Sequence, residues 1–131
     1  MSPQHPVEMI LLRQVASYLA MPVWIMDHEG NLVYYNEPAE QLLGIQFDDV
    51  GPVHADQVGD MFRITDLEGE PIPDSDIPIV VALRKRVAHN RDVRFCGADG
   101  VWRDVSVAAM PIEGQGSRFM GVFATFWEIL A

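Results

Sequence analysis

The sequence predicts an α+β fold with one five-stranded antiparallel sheet, because two kinds of apolar pattern alternate along its 131 residues. Short apolar runs separated by tight polar turns, which are typical of antiparallel hairpins, occupy residues 23–35 and 92–129. Ahead of these runs and between them, apolar residues recur at helical spacing. The predicted fold therefore packs short helices against one face of the sheet and sets an amphipathic helix before it.

The first predicted element is an amphipathic helix over residues 7–20, which flanks the sheet-forming region. Pro22 stops the apolar repeat, and Pro6 stands just ahead of it, where proline is tolerated. The residues of the repeat are Val7, Ile10, Leu11, Val15, Tyr18 and Leu19. We expect residues 1–6 to form a disordered lead and residues 21–131 to form the core domain.

Two strands, at residues 23–26 and 32–35, follow as a hairpin around a polar turn. Asn36 then stands where it can cap a short helix, and Gly44 stands just past the end of that helix. Residues 45–73 contain several glycines and prolines, and they predict one or two short helices inside a long covering loop.

The remaining elements are a longer helix over residues 76–87 and three strands in hairpin order. Asp74, Ser75 and Asp76 are the predicted caps of the helix. The strands cover residues 92–96, 101–112 and 118–129, and the first of them alternates as an edge strand does. Strict alternation puts Phe119, Gly121, Phe123 and Thr125 on one face of the last strand, and Met120, Val122, Ala124 and Phe126 on the other. Both faces are mainly apolar, so the sheet requires a second cover: the first helix, a partner chain, or both.

Composition narrows the class of protein. The net charge of −10 opposes binding to nucleic acid phosphates and to anionic membrane surfaces. The single cysteine, Cys96, excludes an intrachain disulfide. Neither a transmembrane run nor a signal peptide is recognisable, so we expect a cytoplasmic protein.

Several motifs occur in an order that is similar to one known family. The run from Trp24 to Gly44 reads as apolar strand, Asp, turn Gly, apolar strand, Asn and a small helix that ends in Leu-Gly. Further along are Gly69-Glu70-Pro71-Ile72-Pro73, Pro78 with Leu83, Asp99-Gly100-Val101-Trp102, Met110-Pro111-Ile112 and the strand over residues 121–129. Together these motifs resemble a PAS domain. The resemblance implies the PAS fold and a sensory or interaction role in a signal-transduction protein, as a homodimer that acts on an effector domain or a partner protein.

The end of the chain departs from the family pattern. Glu128-Ile129-Leu130 stands where the family has Asp-Ile-Thr, the element that couples the sheet to a following signalling helix. Leu130 cannot supply the threonine hydroxyl. The sequence stops at Ala131, so we expect an output module to be absent from this chain or removed from it.

The cofactors found in this family can be compared with the residues present. Haem usually needs a histidine on the long helix; residues 76–87 contain none, and His89 lies beyond it. The photoactive flavin domains carry an Asn-Cys-Arg-Phe type run, which residues 45–73 lack; Cys96 lies at a strand end instead. We therefore expect no flavin photochemistry, no haem, and no metal at His5, His28 or His54, which lack ligand spacing.

An apolar pocket between the sheet and the helices remains. Alternation and the resemblance place its candidate lining residues as Trp24, Met26, Leu43, Phe62, Ile79, Leu83, Phe95, Val105, Val107, Phe119 and Phe123, with Val93 and Ala109 beside them. A fatty-acid-like or other apolar ligand suits such walls, and an ordinary core has the same pattern. Two alternatives stay open: a ligand-free dimerisation adaptor, and a small α+β enzyme that uses Asp27 and His28. We expect a protein that is not an enzyme.

Overall fold

The structure, a computed structural model, describes residues 7–130. The expected disordered lead at residues 1–6, and Ala131, lie outside the described residues. The helices are α1 Val7–Ala16, α2 Glu37–Leu43, α3 Phe47–Val50, α4 Val58–Met61 and α5 Pro78–Lys85. The strands are β1 Val23–Asp27, β2 Leu32–Tyr35, β3 His89–Cys96, β4 Trp102–Glu113 and β5 Phe119–Glu128. Across this part of the chain, no helix has the length and apolar character needed to cross a bilayer.

The five strands form one antiparallel sheet in the order β2-β1-β5-β4-β3. The α+β class and the five-stranded sheet predicted from the sequence are confirmed. The first and last strands of the chain, β1 and β5, pair at the centre of the sheet, with Val23 opposite Thr125. Strand β3 lies at an edge, as its alternation of polar and apolar residues predicts.

The short helix α2 has the caps that the sequence predicts. The Asn36 side chain accepts a hydrogen bond from the backbone N–H of Ala39 at 3.2 Å. Gly44 ends the helix in a left-handed conformation with φ of 75°, which glycine adopts without steric cost. The segment over residues 45–73 holds α3, α4 and a 3₁₀ turn at Ala55–Gln57, in line with the predicted short helices in a long loop.

The long helix α5 is shorter than the sequence predicts. It begins at Pro78 and ends at Lys85, because residues Asp74–Asp76 form a separate 3₁₀ turn ahead of it. Ile77 occupies the position before the first turn, and no side chain caps that turn. The expected capping by Asp74, Ser75 and Asp76 was therefore wrong.

A bulge at Gly121 divides β5 into two parts whose side chains alternate in opposite phase. Phe119 packs with the core on the α5 side of the sheet. Strict alternation would put Gly121 on that side as well, but Val122 lies there instead. The cause is close approach of backbones: a Cβ at Gly121 would collide with the Met26 carbonyl oxygen of β1. Hence Phe123 lies on the opposite face of the sheet from Phe119, and the strict alternation expected for this strand was wrong.

Two apolar cores lie on the two faces of the sheet. The larger core packs α2, α4, α5 and the loop segment against β1, β3, β4 and β5. The smaller core contains Met9, Ala16, Val23, Ile25, Val33 and Met120, with Leu12, Leu19 and Phe123 packed against it. Helix α1 thus covers the β1–β5 side of the second face, which is the cover that the apolar last strand requires.

Apart from Leu19, which packs against the smaller core, the apolar repeat predicted from sequence for the first helix lies on the side turned away from the sheet. Its residues Val7, Ile10, Leu11, Val15 and Tyr18 are exposed, whereas Met9 and Ala16 are buried against the sheet. The helix ends at Ala16 and not at residue 20, because residues 17 and 18 continue only as turns. Helix α1 therefore presents apolar side chains both to the sheet and to solvent.

Candidate functional site

A cavity of about 60 Å³ lies in the larger core, between the sheet and the covering helices. Twelve side chains line it: Trp24, Leu43, Val58, Phe62, Ile64, Ile79, Val93, Phe95, Val105, Val107, Ala124 and Phe126. The surface that these side chains present to the cavity is entirely apolar. The sheet supplies its floor, whereas α2, α4, α5 and residue Ile64 of the loop supply its walls.

Seven of the eleven candidate pocket residues named from the sequence lie around this cavity. They are Trp24, Leu43, Phe62, Ile79, Phe95, Val105 and Val107, and Val93 joins them. Inward alternation along β1, β3 and β4 places the strand residues together, and Ile79 of α5, Leu43 at the end of α2 and Phe62 just after α4 pack over them. Their role in binding a ligand stays a prediction.

The other four candidates lie elsewhere. Met26 is wholly buried in the larger core, and Leu83 and Phe119 pack against it, but none of the three lines the cavity. Phe123 packs in the smaller core beneath α1, because the bulge at Gly121 turns it to the other face. Ala109 is buried in the larger core away from the cavity.

Four lining residues were missed by the sequence analysis. Val58 and Ile64 come from the loop segment over residues 45–73, whose path no periodic pattern indicates. Ala124 and Phe126 follow the bulge in β5, and alternation counted from Phe119 assigns them to the wrong face. The glycine in the middle of an apolar strand is a recognised signal of a bulge, and it would have corrected these two.

Trp24 is the central side chain of the cavity wall. Its ring stacks on Tyr35 with centroids 5.3 Å apart and meets Phe62 edge-on at 6.3 Å. Phe62 meets Phe95 in the same T-shaped way at 6.2 Å, so aromatic contacts connect the sheet to α4. The indole Nε1 of Trp24 is buried and has no hydrogen-bond partner within residues 7–130.

Tyr35 fixes the loop beside this aromatic group. Its hydroxyl donates a hydrogen bond to the backbone carbonyl of Ile45 at 2.8 Å. Burial, with a smaller contribution from the Glu40 carboxylate, raises the pKa of Tyr35 to about 12. Tyr35 is therefore a neutral hydrogen-bond donor at physiological pH.

Asn36 joins the cavity wall to α1. Its Nδ2 donates to the carbonyls of Ala16 at 3.0 Å and Met21 at 2.9 Å. Its Oδ1 accepts from the N–H groups of Val23 at 3.0 Å and Ala39 at 3.2 Å. Since Ala39 lies in the first turn of α2, which ends at the cavity residue Leu43, one side chain connects α1, β1 and α2.

With this geometry described, the chain can be compared with known proteins. No curated protein sequence matches this chain. A sequence model of the PAS domain matches residues 10–85, which is more than half of the chain. The chain belongs to the PAS domain family.

Solved PAS structures have the same fold at low sequence identity. The PAS domain of BvgS from Bordetella pertussis is 15% identical, with a TM-score of 0.63 over 95% of this chain and 87% of that chain. The PAS domain of nitrogen regulation protein NR(II) from Vibrio parahaemolyticus is 17% identical, with a TM-score of 0.63 over 91% and 98%. A LOV protein from Rhodobacter sphaeroides is 16% identical, with a TM-score of 0.74 over 95% and 68%. The PAS fold predicted from the sequence is confirmed, and with it the coarse function of a sensory signalling domain.

The residues considered for cofactors in this PAS domain lie away from the cavity. His89 is the first residue of β3, paired with Ala109, and Cys96 is the buried last residue of the same strand. Neither lines the cavity. Within the described part of the chain, no three His, Cys, Asp or Glu side chains cluster as metal ligands do. The expectations about haem, flavin and metal stay predictions.

Of the residues of the enzyme alternative, Asp27 is the last residue of β1 and His28 is the first residue of the turn to β2. The Asp27 carboxylate accepts hydrogen bonds from the N–H groups of Glu29 at 3.0 Å and Asn31 at 2.9 Å. His28 is exposed, with its Nε2 3.6 Å from the Glu29 carboxylate. The Asp27 carboxylate thus stabilises the hairpin turn of the PAS domain.

Proposed function

We propose that this PAS domain is a sensor in a cytoplasmic signal-transduction protein and that it binds an apolar small molecule in the cavity beside Trp24. The observation that supports this is the cavity itself. It has apolar walls and lies where the sheet meets the long loop segment over residues 45–73. Ligand pockets in proteins are mostly apolar and carry few polar groups. The cavity has this composition.

The size of the cavity limits the ligand. A volume of about 60 Å³ is below the roughly 300–1,000 Å³ of pockets for drug-sized ligands. A fatty-acid-like ligand, the class expected from sequence, therefore requires α4 and the neighbouring loop to move outward. A ligand of only a few heavy atoms requires less movement.

The proposed signal is a shift between two positions of α1. Leu43 of the cavity wall ends α2, and Asn36 at the other end of α2 holds the last carbonyl of α1. A ligand that moves Leu43 changes the geometry at Asn36, and hence the population of docked α1. The change is then received by an effector domain or a partner protein.

Dimerisation is the second part of the proposal. The outward stripe, defined by Val7, Ile10, Leu11 and Val15 of α1 and by Tyr18 in the turn after it, exposes large apolar side chains. Met110 and Trp127, which are also exposed, share the α1 face of the sheet, since Met110 pairs with Phe123 and Trp127 follows it in alternation. A second copy of the chain packed against this stripe would remove it from water.

Ligand binding is tested by extraction and by thermal unfolding. Denaturing extraction followed by mass spectrometry should release a small apolar molecule from the purified protein. Added methylenecyclopentane or octanoic acid, a small and a fatty-acid-like probe, should raise the melting temperature. At a hundredfold excess over Kd, stabilisation of about 2.7 kcal/mol corresponds to roughly 8 °C.

Matched variants locate the binding. Ala124→Leu fills the cavity and should abolish the shift, whereas Ala98→Leu, in an exposed turn, should retain it. If nothing is extracted and neither probe raises the melting temperature of the unmodified protein, the ligand-free dimerisation adaptor replaces the sensor.

The dimer is tested by light scattering after size exclusion. The unmodified chain should have twice the monomer mass, and Leu11→Glu in the outward stripe should be monomeric. Gln14→Glu adds the same charge at an exposed polar position of α1 and should leave the dimer intact. A dimeric Leu11→Glu protein, or a monomeric unmodified protein, would contradict this interface.

A further inference from the structure

The C-terminal end of α2 is held by the hairpin that β3 and β4 form. The last carbonyl groups of a helix have no partners within that helix. Here the carbonyl of Leu43 accepts a hydrogen bond of 2.8 Å from the backbone N–H of Ala98. The carbonyl of Leu42 accepts one of 2.8 Å from Nη1 of Arg103. Both donors belong to the hairpin, so the hairpin fixes the position of Leu43 relative to the sheet.

The turn of the hairpin also packs directly against the residue that ends α2. A Cβ at Gly44 would lie 2.7 Å from the backbone nitrogen of Asp99, closer than atoms that are not bonded to each other can approach. Leu43, the last residue of α2, lines the cavity. This wall of the cavity therefore stays in place only while α2 and the turn stay in contact.

Arg103 lies on the cavity side of the sheet. Alternation along β4 puts it on the same face as Val105 and Val107, and its cross-strand partner on β3 is Phe95. These three neighbours line the cavity, whereas Arg103 does not. Its side chain is 17% exposed and reaches the end of α2. Arg103 is thus a contact between the sheet and α2 beside the cavity, and its guanidinium does not face the space inside.

The Arg103 contact is the stronger of the two that hold the end of α2. Its donor is charged, and a hydrogen bond from a charged group is roughly twice as strong as one between neutral groups. A cation at the C-terminal end of a helix is also favoured by the helix dipole. The Asp99 carboxylate lies 3.6 Å from Nη2 of Arg103, where its charge favours this position of the guanidinium. The Ala98 N–H, by contrast, is a neutral donor.

We infer that Arg103 is a positioning residue for the cavity: by holding the Leu42 carbonyl it limits how far Leu43 moves, and so limits the size of the ligand that the cavity accepts. The inference rests on the proposed function, in which a ligand moves Leu43. It adds the residue that resists this movement. A ligand of a few heavy atoms binds with the Arg103 contact intact, whereas a longer chain has to break that contact.

Two variants and two uncharged probes test the size limit. Arg103→Met keeps a long side chain without a donor, and Arg103→Lys keeps a charged donor for one carbonyl. The probes are 1-octanol and methylenecyclopentane, and the readout is the ratio of their affinities, because a general loss of stability would affect both alike. The ratio should shift toward 1-octanol about tenfold in Arg103→Met, the factor that one hydrogen bond from a charged group contributes. Arg103→Lys should keep the ratio of the unmodified protein, as should Arg118→Met, which removes an exposed guanidinium just before β5.

Amide hydrogen exchange at Ala98 gives a second readout. The N–H of Ala98 bonds to the carbonyl of Leu43, so its protection reports whether the end of α2 stays on the turn. Exchange at Ala98 should be faster in Arg103→Met and unchanged in Arg103→Lys, while amides at the centre of β5 stay protected in both. In the unmodified protein, saturating 1-octanol should also make it faster, and methylenecyclopentane should not.

The outcomes separate this inference from the proposed function. An affinity ratio that is unchanged in Arg103→Met, or that shifts equally in Arg103→Lys, would overturn the role of Arg103 while the cavity proposal stands. Unchanged exchange at Ala98 in the unmodified protein with 1-octanol bound would overturn it as well, whether or not the variants fold. Binding of neither probe to the unmodified protein would overturn the proposed function and the size limit together.

Discussion

The side-chain amide of Asn36 donates a 3.0 Å hydrogen bond to the backbone carbonyl of Ala16, the last residue of α1. Asn36 is fully buried, and the same amide nitrogen also donates to Met21 in the segment that leads into β1. Helix ends leave carbonyls without intrahelical partners, and the Ala16 carbonyl takes both of its hydrogen bonds from outside α1: this one and a 3.2 Å bond from the N–H of Leu19. The docking of α1 on the sheet therefore depends on a residue that also caps α2.

Asn36→Asp separates the two functions of this side chain. Aspartate keeps the acceptor oxygen for Val23 and Ala39 but loses both donors and sets a carboxylate against the Ala16 and Met21 carbonyls. We expect the free energy of unfolding to fall by about 3 kcal/mol. We also expect amide hydrogen exchange in α1 to become faster while β4 and β5 stay protected.

Asn90→Asp, at an exposed position of β3, is the matched control and should change neither the free energy of unfolding nor the exchange in α1. Unchanged protection of α1 in Asn36→Asp would contradict this account.

Gly121→Ala tests the bulge in β5. The added methyl group collides with the Met26 carbonyl oxygen of the central strand β1, so the two central strands must separate locally. We expect a loss of about 2–3 kcal/mol in urea denaturation. Gly69→Ala is the control, because Gly69 has φ of +86° but open space around it, and it should lose only about 1 kcal/mol. Equal losses in the two variants would mean that backbone strain, and not the contact with β1, explains the effect.

Alkaline titration should single out Tyr35. Burial raises the pKa of Tyr35 to about 12, against about 10 for a tyrosine in the unfolded chain. Because the folded state holds this proton more tightly, the contribution of Tyr35 to stability is complete below pH 10 and is lost as the pH rises toward 12. Tyrosinate absorbance near 295 nm should show a late transition that disappears in Tyr35→Phe. The same late transition in Tyr35→Phe would assign it to Tyr34, whose pKa burial also raises.

The ion pair between Arg94 and Asp104 should make the free energy of unfolding depend on pH in the acid range. The hydrogen bond from Arg94 Nε to the Asp104 carboxylate is 2.7 Å long and lowers the pKa of Asp104 below 3.8. Its contribution to stability is therefore present above pH 4 and is lost as the pH falls through the lowered pKa. Urea unfolding of Asp104→Asn should show a constant deficit from pH 7 to pH 4 that shrinks at lower pH. The deficit should be small and weaken with salt, because the pair is partly exposed. A deficit that stays constant down to pH 2 would show that the carboxylate charge has no part in it.

The contrast between β1 and β5 shows where sequence patterns were sufficient. Trp24 and the lining residues of β4 lie away from the register shifts of their strands and follow from alternation, since successive side chains of a regular strand point to opposite faces. In β5 one glycine shifts the phase, so that Phe123 lies beneath α1 and Phe126 faces the cavity. Gly121 and Met26 are far apart in the sequence, so no local periodic pattern of apolar residues reveals their contact. The same limit applies to Val58 and Ile64, because tertiary contacts determine their positions.

The α1 helix illustrates a different limit. Its apolar repeat identifies a helix correctly, but a helix with apolar residues on both sides does not reveal which side meets the sheet. In the structure Met9 and Ala16 are buried against the sheet, and Leu11 and Tyr18 lie outward. The capping of α2 by Asn36 and Gly44 was predictable because caps depend on neighbours within four residues.

The central pairing of β1 with β5 has a mechanical consequence. Pro22, just before β1, accepts hydrogen bonds from the side chain of Thr125 and from the N–H of Phe126 near the end of β5. The polypeptide therefore enters and leaves the sheet at one point, and tension applied across that point would open the β1–β5 ladder one hydrogen bond at a time. A sheet loaded in this direction yields to weaker forces than one in which all the hydrogen bonds of a strand pair must break together.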